Sequence, residues 1–86
     1  MKKITKKQAM NKIEEILHAG SITLVTENVT EHTKLHDALF DSLDQVQFTI
    51  EFEKAFGISL KEDDISNLKT IGDYVNYAVH HSPFIR

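Results

Sequence analysis

Ser42, in the segment DSLD, is the residue whose type and position best suit covalent chemistry in this chain. A catalytic serine needs a general base within hydrogen-bond reach, and the neighbouring residues supply none. The segment also lacks the strand, sharp turn and helix of a nucleophile elbow. The chain contains no cysteine, so a thiol nucleophile and thiolate metal ligands are excluded as well. These patterns argue against Ser42 as an enzyme's own nucleophile.

Five histidines raise the question of a metal site. His32 and His36 are four residues apart, but in a predicted loop that spacing does not place them on one face. His80 and His81 are adjacent at a helix end and point apart, and no third ligand joins either pair, whereas a structural zinc ion takes four. The aspartates of the DSLD segment fail the calcium-loop pattern, because Leu43 occupies a ligand position and the required glycine is missing. We therefore predict no metal site.

The length of the chain predicts a single small domain over residues 1–86. A domain of this size buries about 60% of its unfolded surface. The net charge is −3, but the first twelve residues carry five lysines and no acid. Those lysines lie on a short amphipathic helix without aromatic residues, which argues against nucleic-acid binding. Eight acids and two lysines between Asp37 and Asp64 predict basic partners.

Hydropathy gives no sign of a membrane segment. No apolar run approaches the roughly 20 residues of a membrane span. The start of the chain, MKKITKKQAMNK, lacks the apolar stretch of a secretory signal. We therefore expect a cytoplasmic protein, and a monomer.

Apolar spacing and capping residues predict the helices that position Ser42. The first runs over about residues 5–19, from a capping box at Thr5 to a stop at Gly20. The second is capped by Asp41 and runs to about Phe56.

The rest of the chain adds a loop and two further helices. Residues 20–40 predict a long loop, because a hairpin there would have no third strand to pair with. One short helix is predicted over 63–68, and Thr70 with Asp73 caps a last helix that Pro83 closes. The predicted fold is an all-α, small four-helix bundle with three main helices, one short helix and a long loop after the first.

The second helix carries two apolar faces, although a surface helix ordinarily needs one. The aromatic face is the better core candidate, because it removes more area from water. The other face is then left as an apolar strip rimmed by acids, which is typical of a docking surface. Packing of that strip against the long loop or another helix is the alternative. The aromatic face consists of Phe48, Phe52, Ala55 and Phe56, and the opposite face, here called the docking strip, of Leu43, Val46 and Ile50.

The segment DSLDQVQFTIEFEKAFGISL closely resembles the part of acyl carrier proteins that begins with their Asp-Ser-Leu attachment motif. The similarity runs without a gap from about Leu35, through EDDISNLKTIGDYVNYA, to Ala78. The tripeptide alone is a weak signal, but here it opens an acidic helix and is followed by FEKAFGI and LKTIGDYV. The first helix matches only in type and position.

The resemblance implies that a phosphopantetheinyl transferase joins 4′-phosphopantetheine from coenzyme A to the hydroxyl of Ser42. The thiol of this arm would carry an acyl group as a thioester, so the protein would be a free-standing carrier and not an enzyme. The pathway would be fatty acid synthesis or a dedicated acyl or polyketide-type route. An aminoacyl or peptidyl carrier, and a helical interaction module that carries nothing, remain as alternatives.

The resemblance also assigns surface and interior roles. Partner enzymes with basic patches would meet the second helix, and reversing the charges of Asp44 and Glu53 should slow transfer with little effect on stability. Bulky Phe52 and Tyr74 should shorten the acyl cavity. The implied docking residues are Asp41, Leu43, Asp44, Val46, Ile50 and Glu53, and the implied cavity residues are Phe52, Leu60, Leu68 and Tyr74.

Some positions depart from the family's pattern. Leu39 stands where the family usually has glycine, and Phe40 follows it, so the loop before Ser42 should be bulkier. Gln47 and Lys54 replace frequent acids, and the net charge of −3 is small for a carrier of fatty acid synthesis. These departures favour a carrier dedicated to one pathway.

Overall fold

The computed structural model describes residues 4–20, 22–26 and 28–82. Within these residues it contains helices and two isolated β-bridges but no strand, which confirms the all-α class. All four predicted helices are present, and one further helix of a single turn lies inside the predicted loop. The helices are α1 (Lys6–Leu17), α2 (Leu35–Ala38), α3 (Ser42–Phe56), α4 (Glu62–Asn67) and α5 (Ile71–His81).

The first helix begins as its sequence predicts. The Gln8 amide donates to Thr5 Oγ1 at 3.0 Å, and the Thr5 amide donates to Gln8 Oε1 at 2.9 Å, which completes the capping box. The helix ends two residues before the predicted boundary, at Leu17. Gly20 follows with a φ of 92°, a left-handed conformation that favours glycine.

The later helices also follow their capping signals. Asp41 caps α3, and Gly57 ends it with a φ of 64°. Thr70 and Asp73 form the capping box of α5. Pro83, predicted to close α5, lies outside the described residues.

The two ends of the segment between α1 and α3 are hydrogen-bonded to each other. Leu24 and Leu39 form an antiparallel bridge, in which the Val25 amide donates to Ala38 O at 2.7 Å and the Phe40 amide to Thr23 O at 3.0 Å. Two such bonds do not make a hairpin, as predicted. They hold the residues that directly precede α3 against the start of the loop.

The same segment also packs on the N-terminus of α5. The Ile71 amide donates to Thr33 O at 2.8 Å, and the Gly72 amide donates to Glu31 O at 2.7 Å. A Cβ atom at residue 72 would lie 2.7 Å from that same oxygen of Glu31, so the close approach requires glycine.

The core confirms the predicted inward face of α3. Phe48, Phe52 and Phe56 are fully buried, and Tyr74 of α5 is 1% exposed. Tyr74 meets Phe48 and Phe52 edge-on, with ring centroids 5.1 and 5.2 Å apart, an arrangement that aromatic pairs favour. Apolar residues of α1, including Ile13 and Leu17, belong to the same cluster.

Candidate functional site

Ser42 is the first residue of α3 and its side chain is exposed. Asp41 Oδ1 accepts from the Asp44 amide at 3.1 Å, and the helical ladder begins where the Gln45 amide donates to Asp41 O at 3.3 Å. The Ser42 and Leu43 amides precede that ladder, so their unpaired N–H groups contribute to the positive end of the helix dipole. Negative charge attached to Ser42 would be stabilised there.

The Ser42 hydroxyl makes no hydrogen bond with any part of the chain that the structure describes. It is therefore free to enter the active site of another protein. Among the described residues, no histidine or carboxylate that would act as a base is hydrogen-bonded to it. This geometry fits a phosphodiester attachment point.

The start of α3 is positioned by the loop that pairs with it. Leu39 is only 3% exposed and belongs to the core, whereas Phe40, two residues before Ser42, is 69% exposed. The Thr23 amide donates to Asp44 Oδ1 at 3.1 Å, which ties the loop to the first turn of α3. Of the two large residues expected to add bulk, only Phe40 does so at the surface beside Ser42.

The docking strip is exposed, as its pattern predicted. Leu43, Val46 and Ile50 are 76%, 56% and 39% exposed. The alternative, in which the long loop or another helix covers this strip, is wrong for the residues described.

The three acidic residues among the implied docking residues also make structural hydrogen bonds. Asp41 caps α3, Asp44 accepts from the Thr23 amide, and Glu53 Oε2 accepts from the Leu60 amide at 2.7 Å. A hydrogen bond of this kind contributes about 1 kcal/mol net, and more when the acceptor is charged. The expectation that charge reversal at Asp44 and Glu53 leaves stability almost unchanged therefore has to be corrected.

Two open grooves adjoin the N-terminal half of α3. The first, here called the Ser42 groove, has a volume of about 360 Å³ and is lined by Ser42, Gln45, Thr49 and apolar side chains that include Ile65. The second, the lysine groove, has a volume of about 390 Å³ and lies between α2, α4 and α5. Its basic lining residues are Lys34, His36 and Lys69.

The four predicted cavity residues divide between these grooves and the core. Tyr74 lines both grooves, and Leu68 lines the lysine groove. Phe52 lines neither, because it stands on the core face of α3 with its ring against those of Phe56 and Tyr74. Leu60 is half-buried against the core and also lines neither groove.

Tyr74 places a hydroxyl at the inner wall of the grooves. Burial raises the pKa of Tyr74 above its ordinary value of 10.0, and a hydrogen bond with Thr49 acts in the opposite direction. Thr49 Oγ1 in turn donates to Gln45 O at 3.0 Å. Among the described residues, no buried side-chain polar atom lacks a hydrogen-bond partner.

The described residues show neither a metal-binding cluster nor a membrane-spanning helix. They contain no cluster of three or more histidine, cysteine, aspartate or glutamate side chains with metal-binding geometry. His36 Nε2 lies 3.0 Å from Asp37 Oδ1, and both side chains are exposed. None of the described helices has the length and apolarity needed to span a membrane.

Known proteins resemble this chain over most of its length. Residues 10–78 match the family model described as "Phosphopantetheine attachment site". The chain is 30% identical over 79 residues to an acyl carrier protein of Lactobacillus acidophilus, covering 91% of this chain and 98% of that protein. It is 32% identical over 74 residues to an acyl carrier protein of Thermotoga maritima, covering 85% and 90%. A meromycolate extension acyl carrier protein of Mycobacterium leprae is 27% identical over 74 residues, covering 86% and 64%.

A helical domain with an exposed serine at a helix N-terminus, matched over this range, is a phosphopantetheine-attachment domain. The chain belongs to the acyl carrier protein family. The cofactor of this family is 4′-phosphopantetheine, as the sequence resemblance implied.

Proposed function

We propose that Ser42 accepts 4′-phosphopantetheine and that the protein carries acyl groups as thioesters on the thiol of that arm. The observation that supports this most directly is the exposed, unbonded hydroxyl of Ser42 at the N-terminus of α3. It lies inside the residues that match the attachment-site family. The chain has no thiol of its own, so the thioester sulfur has to be imported.

The attachment step balances without any catalytic group from this chain. The bond between Ser42 Oγ and the phosphorus of the arm forms while the phosphoanhydride bond of coenzyme A breaks. Adenosine 3′,5′-bisphosphate leaves, and the serine proton passes to a base of the transferase. This chain contributes an accessible hydroxyl and a helix N-terminus that stabilises the resulting phosphodiester. The protein is accordingly a carrier that presents substrates and not an enzyme.

Partners are proposed from the surface around Ser42. A phosphopantetheinyl transferase and acyl-loading and acyl-transfer enzymes would meet the docking strip with an apolar patch rimmed by basic residues. The charges of Asp44 and Glu53 would then accelerate encounter more than they strengthen the final complex. We expect the protein to act as a cytoplasmic monomer.

The pathway is proposed to be dedicated, not the general synthesis of fatty acids. The exposed Phe40 beside Ser42 and the small net charge of −3 are the features that favour this. The Mycobacterium leprae relative, whose name specifies meromycolate extension, shows that carriers with a specialised role occur among the similar proteins.

The proposed attachment is tested by incubating the protein with coenzyme A and a phosphopantetheinyl transferase and measuring its mass. We expect a gain of one phosphopantetheine in the wild type and none in Ser42→Ala. The helical circular-dichroism spectrum of the variant should be unchanged, because the hydroxyl makes no bond within the described structure.

Ser59→Ala and Ser66→Ala are matched controls and should be modified like the wild type. Ser66 Oγ donates to Glu62 O at 2.9 Å, so it is occupied within α4. If the Ser42→Ala protein still gains mass, or if the wild type gains none, the proposed attachment is wrong.

A further inference from the structure

The Ser42 groove and the lysine groove adjoin each other. They share the lining residues Leu35, Gln45, Ile65 and Tyr74, which come from α2, α3, α4 and α5. The Ser42 groove includes the attachment serine itself, and the lysine groove continues past α2. Together they form a path along the surface that starts at Ser42 and ends at Lys34 and Lys69.

The interior behind this path is filled. The rings of Phe48, Phe52 and Tyr74 are each at most 1% exposed, and every pair of them has centroids within 6.1 Å. Packed aromatic rings of this kind leave little free volume between them. A group attached at Ser42 therefore finds its space in the grooves and not between the core side chains.

The far end of the path is basic, although acids outnumber basic residues in the chain as a whole. The lysine groove is lined by Lys34, His36 and Lys69 and by no carboxylate. Two backbone contacts bring the backbones of Lys34 and Lys69 close together at the junction of α2 and α5. Lys34 bridges to Thr70, and the Leu35 amide donates to Lys69 O at 2.9 Å.

Two carboxylates close to these lysines in sequence or in the fold take part in other contacts. Asp37 pairs with His36 at 3.0 Å. Asp73 Oδ2 accepts the amides of Lys69 and Thr70 at 2.9 and 3.0 Å, as part of the α5 cap. The ammonium groups of Lys34 and Lys69 make no ion pair within 4.0 Å among the residues described, so they can receive an anionic ligand, although the charge of Lys69 also interacts with Asp73 and lowers its pKa.

We propose that the lysine groove binds the free carboxylate of the cargo, so that the preferred acyl groups are monothioesters of dicarboxylic acids. This inference rests on the proposed attachment at Ser42. The arm would lie along the Ser42 groove, where Gln45 and Thr49 offer polar groups beside apolar walls. The acyl carbons would pass Leu68 and Tyr74, and the terminal carboxylate would lie between Lys34 and Lys69.

The test compares adipoyl and hexanoyl cargo, which have equal numbers of carbons and differ by a terminal carboxylate. Each is loaded as the acyl-phosphopantetheine from its coenzyme A thioester, and the loaded mass is verified first. In low salt we expect the thermal midpoint of the adipoyl form to lie a few degrees above that of the hexanoyl form. The difference should disappear in high salt, because exposed charge pairs are screened.

The double variant Lys34→Gln/Lys69→Gln should abolish this difference while leaving the loaded mass unchanged. The matched control is Lys12→Gln/Lys54→Gln, which removes the same charge from the separate groove between α1 and α3 and should keep the difference.

Equal midpoints in the wild type would overturn the inference. So would a difference that survives Lys34→Gln/Lys69→Gln, or a loss of stability in that variant that is equal for both cargoes, which would place the lysines on the arm's phosphate. Absence of loading contradicts the attachment at Ser42 instead, and the mass spectrum separates that failure from the others.

Discussion

At the scale of single residues, Asp73 shows how one carboxylate joins two parts of the fold. Hydrogen bonds from the Thr70 and Lys69 backbone amides lower the pKa of Asp73 below its ordinary value of 3.8, and nearby Lys69 contributes in the same direction. The ionised form is therefore favoured in the folded state. Asp73 caps α5 and accepts from the Lys69 amide, and the Lys69 carbonyl in turn accepts from the Leu35 amide of α2. The negative charge of Asp73 therefore stabilises the junction of α2 and α5 beside the lysine groove.

The lowered pKa of Asp73 has a defined consequence for acid stability. Its contribution to the free energy of unfolding is fully present above the ordinary pKa of 3.8 and is lost as the pH falls through the lower, folded value. Asp73→Asn should lose stability at neutral pH and should show a shallower decline below about pH 4. Thermal midpoints measured across that range check this, and parallel declines in the two proteins would contradict it.

At the scale of helices, the two opposite faces of α3 lie in different environments. Its aromatic face is part of the core, and its docking strip is exposed beside Ser42. The rim acids complicate a test of this strip, because Asp44 and Glu53 also hold backbone amides. Some substitutions remove the charge of Asp44 and Glu53 but keep an oxygen that accepts the hydrogen bond. Such variants test the effect of the charge on docking without a large change in stability.

Asp44→Asn with Glu53→Gln should slow loading by the transferase in low salt, and the effect should shrink as salt is added. The thermal midpoint should change little, since the amide oxygens can still accept from Thr23 and Leu60. Asp44→Lys with Glu53→Lys should slow loading further and also cost about 1 kcal/mol or more of stability. Initial rates from the mass gain and melting curves provide the measurements.

Glu14→Gln with Glu15→Gln is the control for charge. It changes the net charge by the same amount on α1, away from Ser42, and should affect the loading rate less. Equal slowing by both pairs would mean that overall charge, and not the rim of the docking strip, sets the rate.

At the scale of the whole molecule, the filled core limits the length of acyl chain that the protein can bury. Phe48, Phe52 and Tyr74 occupy the space between α3 and α5. An acyl chain held inside a protein gains about 0.8 kcal/mol for each buried CH₂. In a domain of this size, that gain would raise the thermal midpoint by several degrees per group.

We therefore expect saturated acyl chains of increasing length to raise the thermal midpoint only slightly. The measurement is a melting series on the protein loaded from saturated acyl-coenzyme A thioesters of increasing length. Phe52→Leu removes ring volume from the core and should make the midpoint rise more steeply with length. A steep rise already in the wild type would show that the aromatic rings move apart to admit the chain.

Local sequence signals predicted the features that neighbouring residues determine. Capping boxes at Thr5 and Thr70 and the cap at Asp41 set three helix starts, because each uses a side chain within three residues of the amide it binds. Helical periodicity separated the core face of α3 from the docking strip. Ser42 stands out in the same way, because its motif opens α3.

The tertiary structure alone decided features that depend on residues far apart in sequence. The short helix α2 carries no capping signal and is stabilised by its contacts with Lys69 and with the loop. Which acids are free for partners depends on bonds such as the one from Thr23 to Asp44, 21 residues away. The assignment of Phe52 to the core and not to a groove likewise depends on the position of Tyr74.

Lys34 and Lys69, which both line the end of the lysine groove, are the residues farthest apart in sequence among these examples. Each lysine in the sequence looks like an ordinary solvated charge, since 35 positions separate them. Only the backbone contacts between the loop and α5 bring them to one wall. Capping and periodicity act within a turn or two of helix, so the sequence could indicate the proposed attachment residue, whereas the shape and charge of the grooves arise from packing between elements.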